Sequence, residues 1–187
     1  LGAWKELGGG AFYNNGGIYN INKNLIEGLN FKNENIRMLD QSRIGPILNG
    51  NKSALKNGVA VKALFIQNTN PLVVAPETVL VRKGFQRKDL FVCVHEQFLT
   101  ETAKYADILL PATSFVEHND IYIAGGHQHL TYGPKIIEEL GECWSNSKLI
   151  NELSKKMGTV KKEFSFSEEE FIAVSYTHLT LPTTLNV

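Results

Sequence analysis

Three short apolar runs, separated by segments of helix or turn length, constrain the fold of this chain more than any other feature. The runs cover residues 61–66, 90–94 and 108–110, and polar residues bound them. Short apolar runs of this kind are typical of buried strands. A helical pattern extends from Pro76 to about Gly84, and Thr100 can cap a short helix before the third run. This alternation predicts an α/β fold with a parallel sheet and right-handed crossovers.

The segments after the third run predict one hairpin and one further helix. Residues 113–134 form a loop or hairpin whose turn is expected at Gly125 and Gly126. Ser145 opens an amphipathic helix that Gly158 ends. Four apolar residues share one face of that helix: Leu149, Ile150, Leu153 and Met157.

Composition and charge exclude several classes of protein. The 187 residues carry 19 basic and 19 acidic side chains, and this balance argues against a nucleic-acid or anionic-membrane partner. No apolar run approaches the roughly 18 residues that a membrane span needs. Cys93 and Cys143 stand far apart and form neither a disulfide framework nor a metal knuckle. We expect a cytoplasmic protein, or a periplasmic one if an export signal lies upstream.

The last residues of the chain have an unusual composition. No charged residue occurs from position 171 to position 187, and the final stretch is rich in Thr and Leu without a helical or strand period. We expect residues 175–187 to be a tail that is not native to the protein, with a natural edge strand as the alternative.

Three polar loops follow the predicted strands at their carboxyl ends, where open parallel sheets bind ligands. The loop 67–71 offers carboxamides and a hydroxyl, and Glu96 in the next loop can accept from the donor edge of a purine. Thr100 and Thr102 stand at a helix start, where free N–H groups favour an anion. These loops indicate either a pocket for a nucleotide-like cofactor with a pyrophosphate or ordinary capping and turn residues. The usual glycine motifs for dinucleotides and phosphates are absent.

Four motifs occur in a fixed order: Asn70-Pro71, Thr100-Glu101-Thr102-Ala103, the run ADILLP at 106–111, and Gly141-Glu142. With the glycine-rich opening and the run LDQSRIGPIL, they resemble the molybdopterin-dependent oxidoreductases. This is the superfamily of dimethyl sulfoxide reductase and formate dehydrogenase. The resemblance covers about residues 4–158. It implies a Rossmann-like, mostly parallel sheet with flanking helices, as a fragment of a larger multidomain enzyme.

The same resemblance implies a cofactor and its contacts. The cofactor is molybdenum held by two molybdopterin guanine dinucleotides, and the substrate is a small molecule. Asn68 and Asn70 would contact one dinucleotide, the next loop would line its site, and Asp107 would buttress that loop. The residues expected at the cofactor are Asn68, Asn70, Pro71, His95, Glu96, Thr100, Thr102 and Asp107. No residue of this chain is expected to be catalytic or to ligate the metal.

The resemblance further implies parts that lie outside this chain. The metal ligand and a cysteine-rich segment for a [4Fe–4S] cluster are expected upstream. Residues 1–58 are expected to pack on the cofactor domain, 59–158 to form that domain, and 159–174 to be a linker. We expect this chain alone to have no turnover, and the intact enzyme to pass electrons to a partner subunit or carrier.

Two alternatives belong to other functional classes. Some relatives keep this fold as a cofactor-free structural or electron-transfer subunit, although polar loops that face phosphate argue against that role here. The second alternative is a generic nucleotide-binding module. Two smaller clusters, the pair His127 and His129 and residues 117–120, are expected to be solvated surface groups.

Overall fold

A computed structural model describes Lys5, Leu7 and residues 32–123, 129–159 and 166–177. Within these ranges the α-helices are α1 (Ile44–Leu48), α2 (Pro71–Val74), α3 (Thr78–Phe85), α4 (Asn146–Lys156) and α5 (Glu168–Thr177). The strands are β1 (Ala63–Gln67), β2 (Phe91–Glu96), β3 (Ile108–Pro111), β4 (Asp120–Tyr122) and β5 (Thr131–Gly133). Short 3₁₀ helices occupy Gln41–Arg43 and Ala103–Tyr105.

A three-stranded parallel sheet is the centre of the fold. The strands pair in the order β1–β2–β3, with Phe65 opposite Cys93 and Cys93 opposite Ile108. Each strand begins or ends within two residues of its predicted position. The predicted α/β class with parallel strands and flanking helices is therefore confirmed.

One face of the sheet packs against α1 and α3 to form the core. Ile66, Val92 and Val94 point into this core from β1 and β2. The two helices approach each other closely, because a Cβ added at Gly84 would lie 2.4 Å from Cβ of Leu48. The core thus depends on a helix contact that only a residue without a side chain allows.

The opposite face of the sheet is apolar and partly open. We call it the second face; it comprises Phe65, Phe91, Cys93, Ile108 and Leu110, which share one side by strand register. Phe65, Phe91 and Ile108 are 45%, 47% and 46% exposed. Parallel sheets are usually covered on both faces.

The crossover from β1 to β2 differs in detail from the prediction. Helix α3 begins at Thr78, so its predicted start at Pro76 is wrong by two residues. Glu77 precedes it with a left-handed backbone (φ 57°), which ends any helical continuation from Pro76. Proline does open a helix in this crossover, but it is Pro71, at the start of α2.

The segment after β3 makes a hairpin and then returns to the sheet. Strands β4 and β5 pair antiparallel, which confirms the predicted hairpin, while its turn lies outside the described residues. Trp144 then forms an isolated parallel bridge with Ala112. Its N–H donates to the Pro111 carbonyl (3.0 Å), and its own carbonyl accepts from Thr113 N–H (3.2 Å). The chain therefore rejoins the edge of the sheet where β3 ends.

Helix α4 starts and ends as predicted. The Ser145 hydroxyl accepts from Lys148 N–H, and Gly158 follows the helix with φ 69°. Of its predicted apolar face, however, only Leu149 is buried, and Met157 is 68% exposed.

Helix α5 crosses from the predicted linker into the predicted tail. Residues 160–165 and 178–187 lie outside the described part, so both assignments stay predictions. Among the helices of the described ranges, none has the length and hydropathy to span a bilayer.

Candidate functional site

A cleft of about 650 Å³ opens at the carboxyl ends of the three parallel strands. We call it the strand-end cleft. Its lining comes from the loops after β1, β2 and β3, the start of the hairpin, and the segment before α4. Four of the predicted site residues line it: Asn68, Asn70, His95 and Glu96. The expected ligand loops thus meet in one crevice.

The loop after β1 presents two carboxamides to the cleft. Asn68 has a left-handed backbone (φ 56°), a conformation that asparagine tolerates better than most residues. Asn70 is held by its oxygen, because Oδ1 accepts from the Thr102 hydroxyl (2.6 Å) and from Thr102 N–H (3.3 Å). With Oδ1 engaged, the NH₂ group of Asn70 is left to donate into the cleft.

Thr102 supports this loop from behind and does not line the cleft. Its side chain is fully buried, and its hydroxyl also accepts from Leu72 N–H (3.1 Å). Because its hydroxyl bonds Asn70 and Leu72, Thr102 orients Asn70 in this structure, and a direct contact of Thr102 with the cofactor stays a prediction.

His95 anchors the floor of the cleft through a polar network. The side chain is 2% exposed, and Nε2 lies 3.1 Å from the Trp144 carbonyl. A carbonyl only accepts, so Nε2 carries the proton, and Nδ1 accepts from the Gln67 amide (3.2 Å). The same Gln67 amide donates to Oδ1 of Asn146 (2.7 Å). The network joins β1 and β2 to the segment before α4.

Glu96 and Gln97 form the next part of the lining. Glu96 Oε1 accepts from the N–H of Gln97 (2.8 Å), and its side chain is half-buried. The Gln97 amide donates to the Thr113 carbonyl (2.8 Å). Glu96 therefore presents a carboxylate at the cleft from the last position of β2, and Gln97 ties the following loop to the segment after β3.

A chain of polar contacts runs along the wall opposite to Asn70. Oγ1 of Thr113, a residue that is 3% exposed, lies 2.9 Å from Nδ1 of His118. Nε2 of His118 lies 3.9 Å from Oδ2 of Asp120, beyond hydrogen-bonding distance. His118 and Asp120 both line the cleft. Asp120 is 52% exposed, as expected of a solvated group, whereas His118 is 20% exposed and held by Thr113, which corrects that expectation for His118.

Glu117 is a buried clamp next to that wall. It is 4% exposed, and its carboxylate accepts from the N–H groups of Ser114 (2.6 Å) and Leu140 (2.8 Å). These backbone bonds hold the pKa of Glu117 below its usual value. The clamp fixes the loop that carries His118.

Three further predicted site residues stand away from the cleft. The Thr100 hydroxyl caps the short helix by accepting from Ala103 N–H (3.2 Å), and Pro71 is buried at the start of α2. Asp107 accepts from Val92 N–H (2.7 Å) near the start of β2. This contact lies at the amino end of the strand, and support of the loop after β2 by Asp107 stays a prediction.

Aromatic side chains complete the cleft, and the sequence interpretation did not assign them to it. Trp144, Tyr122 and Phe115 line it, and Nζ of Lys148 lies 5.2 Å from the Trp144 ring centre. The only signal for Trp144 was its position just after the Gly141-Glu142 motif.

The described residues contain no group of three or more His, Cys, Asp or Glu side chains placed to hold a metal ion. Cys93 and Cys143 are unpaired thiols, and desolvation raises the pKa of both. His127 lies outside the described residues, so the histidine pair is untested.

Comparison with known proteins places the chain in a family. The sequence model of the molybdopterin oxidoreductases matches residues 11–156. The probable oxidoreductase YoaE of Bacillus subtilis is 39% identical over 178 residues, which is 95% of this chain. The catalytic subunit of assimilatory nitrate reductase from the same organism is 46% identical over 57 residues, or 30% of this chain.

A solved structure shares the fold. Acetylene hydratase from Pelobacter acetylenicus superposes with a TM-score of 0.59 over 72% of this chain, at 23% identity. The matched region covers 18% of that protein, 25% of YoaE and 8% of the nitrate reductase subunit. The chain therefore spans a quarter or less of the length of these relatives.

Proposed function

The chain belongs to the molybdopterin oxidoreductase family, and from this premise we propose that its strand-end cleft binds one guanine dinucleotide of a molybdenum-bis(molybdopterin guanine dinucleotide) cofactor. The observation that carries the proposal is the convergence of Asn68, Asn70, His95 and Glu96 on one cleft. Of these, Asn68, Asn70 and Glu96 would contact the ligand, and His95 would fix the base of the cleft through its hydrogen bonds.

The donor set of the cleft fits a guanosine. The carboxylates of Glu96 and Asp120 can accept from the N–H edge of guanine and from ribose hydroxyls. The NH₂ groups of Asn70 and of other carboxamides in the lining can donate to carbonyl and phosphate oxygens. Trp144 offers a flat face for a purine ring. A volume of about 650 Å³ is ordinary for a site that encloses such a ligand.

The role of this chain in the reaction is then to bind and orient. When bound, the cofactor supplies two-electron redox or oxygen-atom-transfer chemistry at molybdenum. The loop after β1 positions the dinucleotide through Asn70, which Thr102 holds in one orientation. The network of Gln67, His95 and Asn146 keeps the two sides of the cleft at a fixed separation.

The rest of the enzyme is proposed from the same family membership. The metal ligand, an iron–sulfur cluster, the substrate site and an electron-accepting subunit would belong to the remaining three quarters of a protein of the length of YoaE. We therefore expect no turnover from this chain alone, which an assay of the purified chain with loaded cofactor checks. Its two unpaired cysteines are compatible with the reducing cytoplasm.

Binding is tested by nuclear magnetic resonance with guanosine and with guanosine diphosphate glucose. Both probes are expected to shift the side-chain amide signals of Asn68 and Asn70. Asn70→Ala is expected to weaken binding of both probes about tenfold, because it removes a polar contact and leaves the Thr102 hydroxyl without its acceptor. Asn33→Ala, at an exposed turn outside the cleft, serves as the matched control.

Unchanged spectra with both probes would contradict the proposal. They would favour a cofactor-free structural subunit of the same fold. Analysis of molybdenum and guanine in the purified full-length protein then decides, since such a subunit contains neither.

A further inference from the structure

The charged groups that line the strand-end cleft are unfavourable for binding a diphosphate. Its lining includes two carboxylates, Glu96 and Asp120, and no Lys or Arg among the described residues. A guanosine diphosphate ester carries two negative charges at neutral pH, and like charges in a shared site disfavour each other. The lining groups can bind the base and the ribose of the ligand. Its phosphates need a cation, and no lysine or arginine side chain of the described part of the chain supplies one in the cleft lining.

His118 is the residue of the cleft that can supply this cation. Its Nδ1 is fixed by the buried Thr113 hydroxyl at 2.9 Å. Its Nε2 lies 3.9 Å from Asp120, which is too long for a hydrogen bond and leaves this nitrogen available to a ligand. The side chain is 20% exposed, so it is anchored at one end and open at the other.

The Thr113 hydroxyl suits both protonation states of the ring. When Nδ1 is bare, the hydroxyl donates to it; when Nδ1 carries a proton, the hydroxyl rotates and accepts. Protonation therefore breaks no contact inside the protein. Histidine is also the side chain that ordinarily changes charge between pH 5 and pH 8.

Several carboxylates stand around His118. Asp120 lies on β4, Glu96 ends β2, and Glu117 precedes His118 in the same loop with its carboxylate on backbone N–H groups. Tyr122 donates its hydroxyl to the Phe115 carbonyl (3.4 Å), and both ring nitrogens of His95 are engaged, by the Gln67 amide and the Trp144 carbonyl. No cation of the described residues lines the cleft to oppose a charge on His118.

We propose that His118 is the phosphate-contacting residue of this cleft, and that binding of a guanosine diphosphate ester is coupled to protonation of its ring. The proposal rests on the proposed dinucleotide function and specifies how a cleft with two carboxylates accepts a diphosphate. Nε2–H donates to a phosphate oxygen, and Asp120, whose Oδ2 lies 3.9 Å from the same nitrogen, stabilises the charged ring.

Guanosine diphosphate glucose tests the proposal, because its diphosphate is a diester that keeps the same charge from pH 5.5 to pH 8. Its affinity for the 187-residue chain is expected to rise about threefold to tenfold from pH 8 to pH 5.5. The nuclear magnetic resonance titration of the His118 ring is expected to move to higher pH when the probe is bound. Guanosine, which has no phosphate, is expected to bind equally at both pH values.

Variants separate the role of His118 from a general effect of pH. His118→Gln is expected to bind guanosine diphosphate glucose at both pH values as weakly as the unaltered protein does at pH 8. His118→Lys is expected to keep the pH 5.5 affinity at pH 8, since lysine stays charged. His129→Gln, a histidine outside the cleft lining, is the matched control and is expected to keep the full pH dependence.

The outcomes distinguish this inference from the proposed function. The role of His118 is overturned if guanosine binds but the affinity for the diphosphate probe does not change with pH, or if His118→Gln keeps the pH dependence. In either case the cleft remains a guanosine site. If neither probe binds at either pH, both proposals are overturned.

Discussion

At the scale of single residues, the cleft depends on side chains that the protein itself holds in place. Asn70 reaches the cleft only after Thr102 has fixed its oxygen, and His118 is fixed in the same way by Thr113. In both pairs a buried hydroxyl holds one end of a half-buried polar side chain and leaves the other end to the ligand. Such preorganised groups lose little freedom on binding.

Replacement of Thr102 tests this support. Thr102→Val keeps the shape but removes the shorter hydrogen bond to Asn70 Oδ1 and leaves Leu72 N–H without its acceptor, so we expect a loss of about 1–3 kcal/mol in the free energy of unfolding. Thr102→Ser keeps the hydroxyl and is expected to lose only about 1 kcal/mol with the methyl group. Urea denaturation measures both, and a Thr102→Val variant as stable as the unaltered protein would show that the hydroxyl contributes nothing.

At the scale of elements, the contact between α1 and α3 is set by a glycine. Gly84→Ala raises the helix propensity of α3 by roughly 1 kcal/mol. It also places a methyl group 2.4 Å from Cβ of Leu48 on α1, and overpacking of this kind costs about 1–3 kcal/mol. We therefore expect a net destabilisation, seen as a lower midpoint in thermal unfolding.

Lys83→Ala in the same helix is the matched control, since Lys83 is exposed and its replacement creates no contact. It is expected to leave the midpoint unchanged. A Gly84→Ala variant as stable as this control would mean that overpacking against α1 costs no more than the gain in helix propensity.

The elements were predictable from the sequence where a signal is local. Each strand is an apolar run between polar residues. Ser145 marks the start of α4 because its hydroxyl caps the helix, and Gly158 marks the end because glycine adopts a left-handed backbone readily. The start of α3 was missed because the left-handed backbone of Glu77 has no sequence signature comparable to that of Gly.

The site was predictable only in part, for a related reason. The loops after β1 and β2 could be assigned to the cleft from strand order, but a loop residue can face the ligand or bond the protein. Thr102 and Asp107 do the latter, and nothing in the sequence separates them from Asn70 and Glu96. Trp144 was missed because only the bridge to Ala112 brings it back to the strand ends.

At the scale of the whole molecule, the second face is the largest departure from a closed α/β fold. Exposed aromatic side chains of this kind bind hydrophobic dyes. We expect the isolated chain to enhance the fluorescence of anilinonaphthalene sulfonate. The double variant Phe65→Thr/Phe91→Thr, which keeps residues that favour strands, is expected to lose half or more of this signal.

Val59→Thr is the control for this measurement, because Val59 is 81% exposed but lies outside the sheet. It is expected to leave the dye signal unchanged. A double variant that keeps the full signal would place the dye elsewhere on the molecule.

The bridge between Ala112 and Trp144 has a consequence for how this protein can vary. The chain leaves the sheet after Pro111 and comes back beside it at Trp144, so the excursion starts and finishes at neighbouring points. Its two anchor points are held by main-chain bonds, which do not depend on what lies between them. The segment between these two points can therefore be exchanged, lengthened or shortened while the sheet and its helices stay the same. One wall of the strand-end cleft, with His118 and Asp120, lies on this segment, so it can change independently of Asn68 and Asn70 on the facing wall.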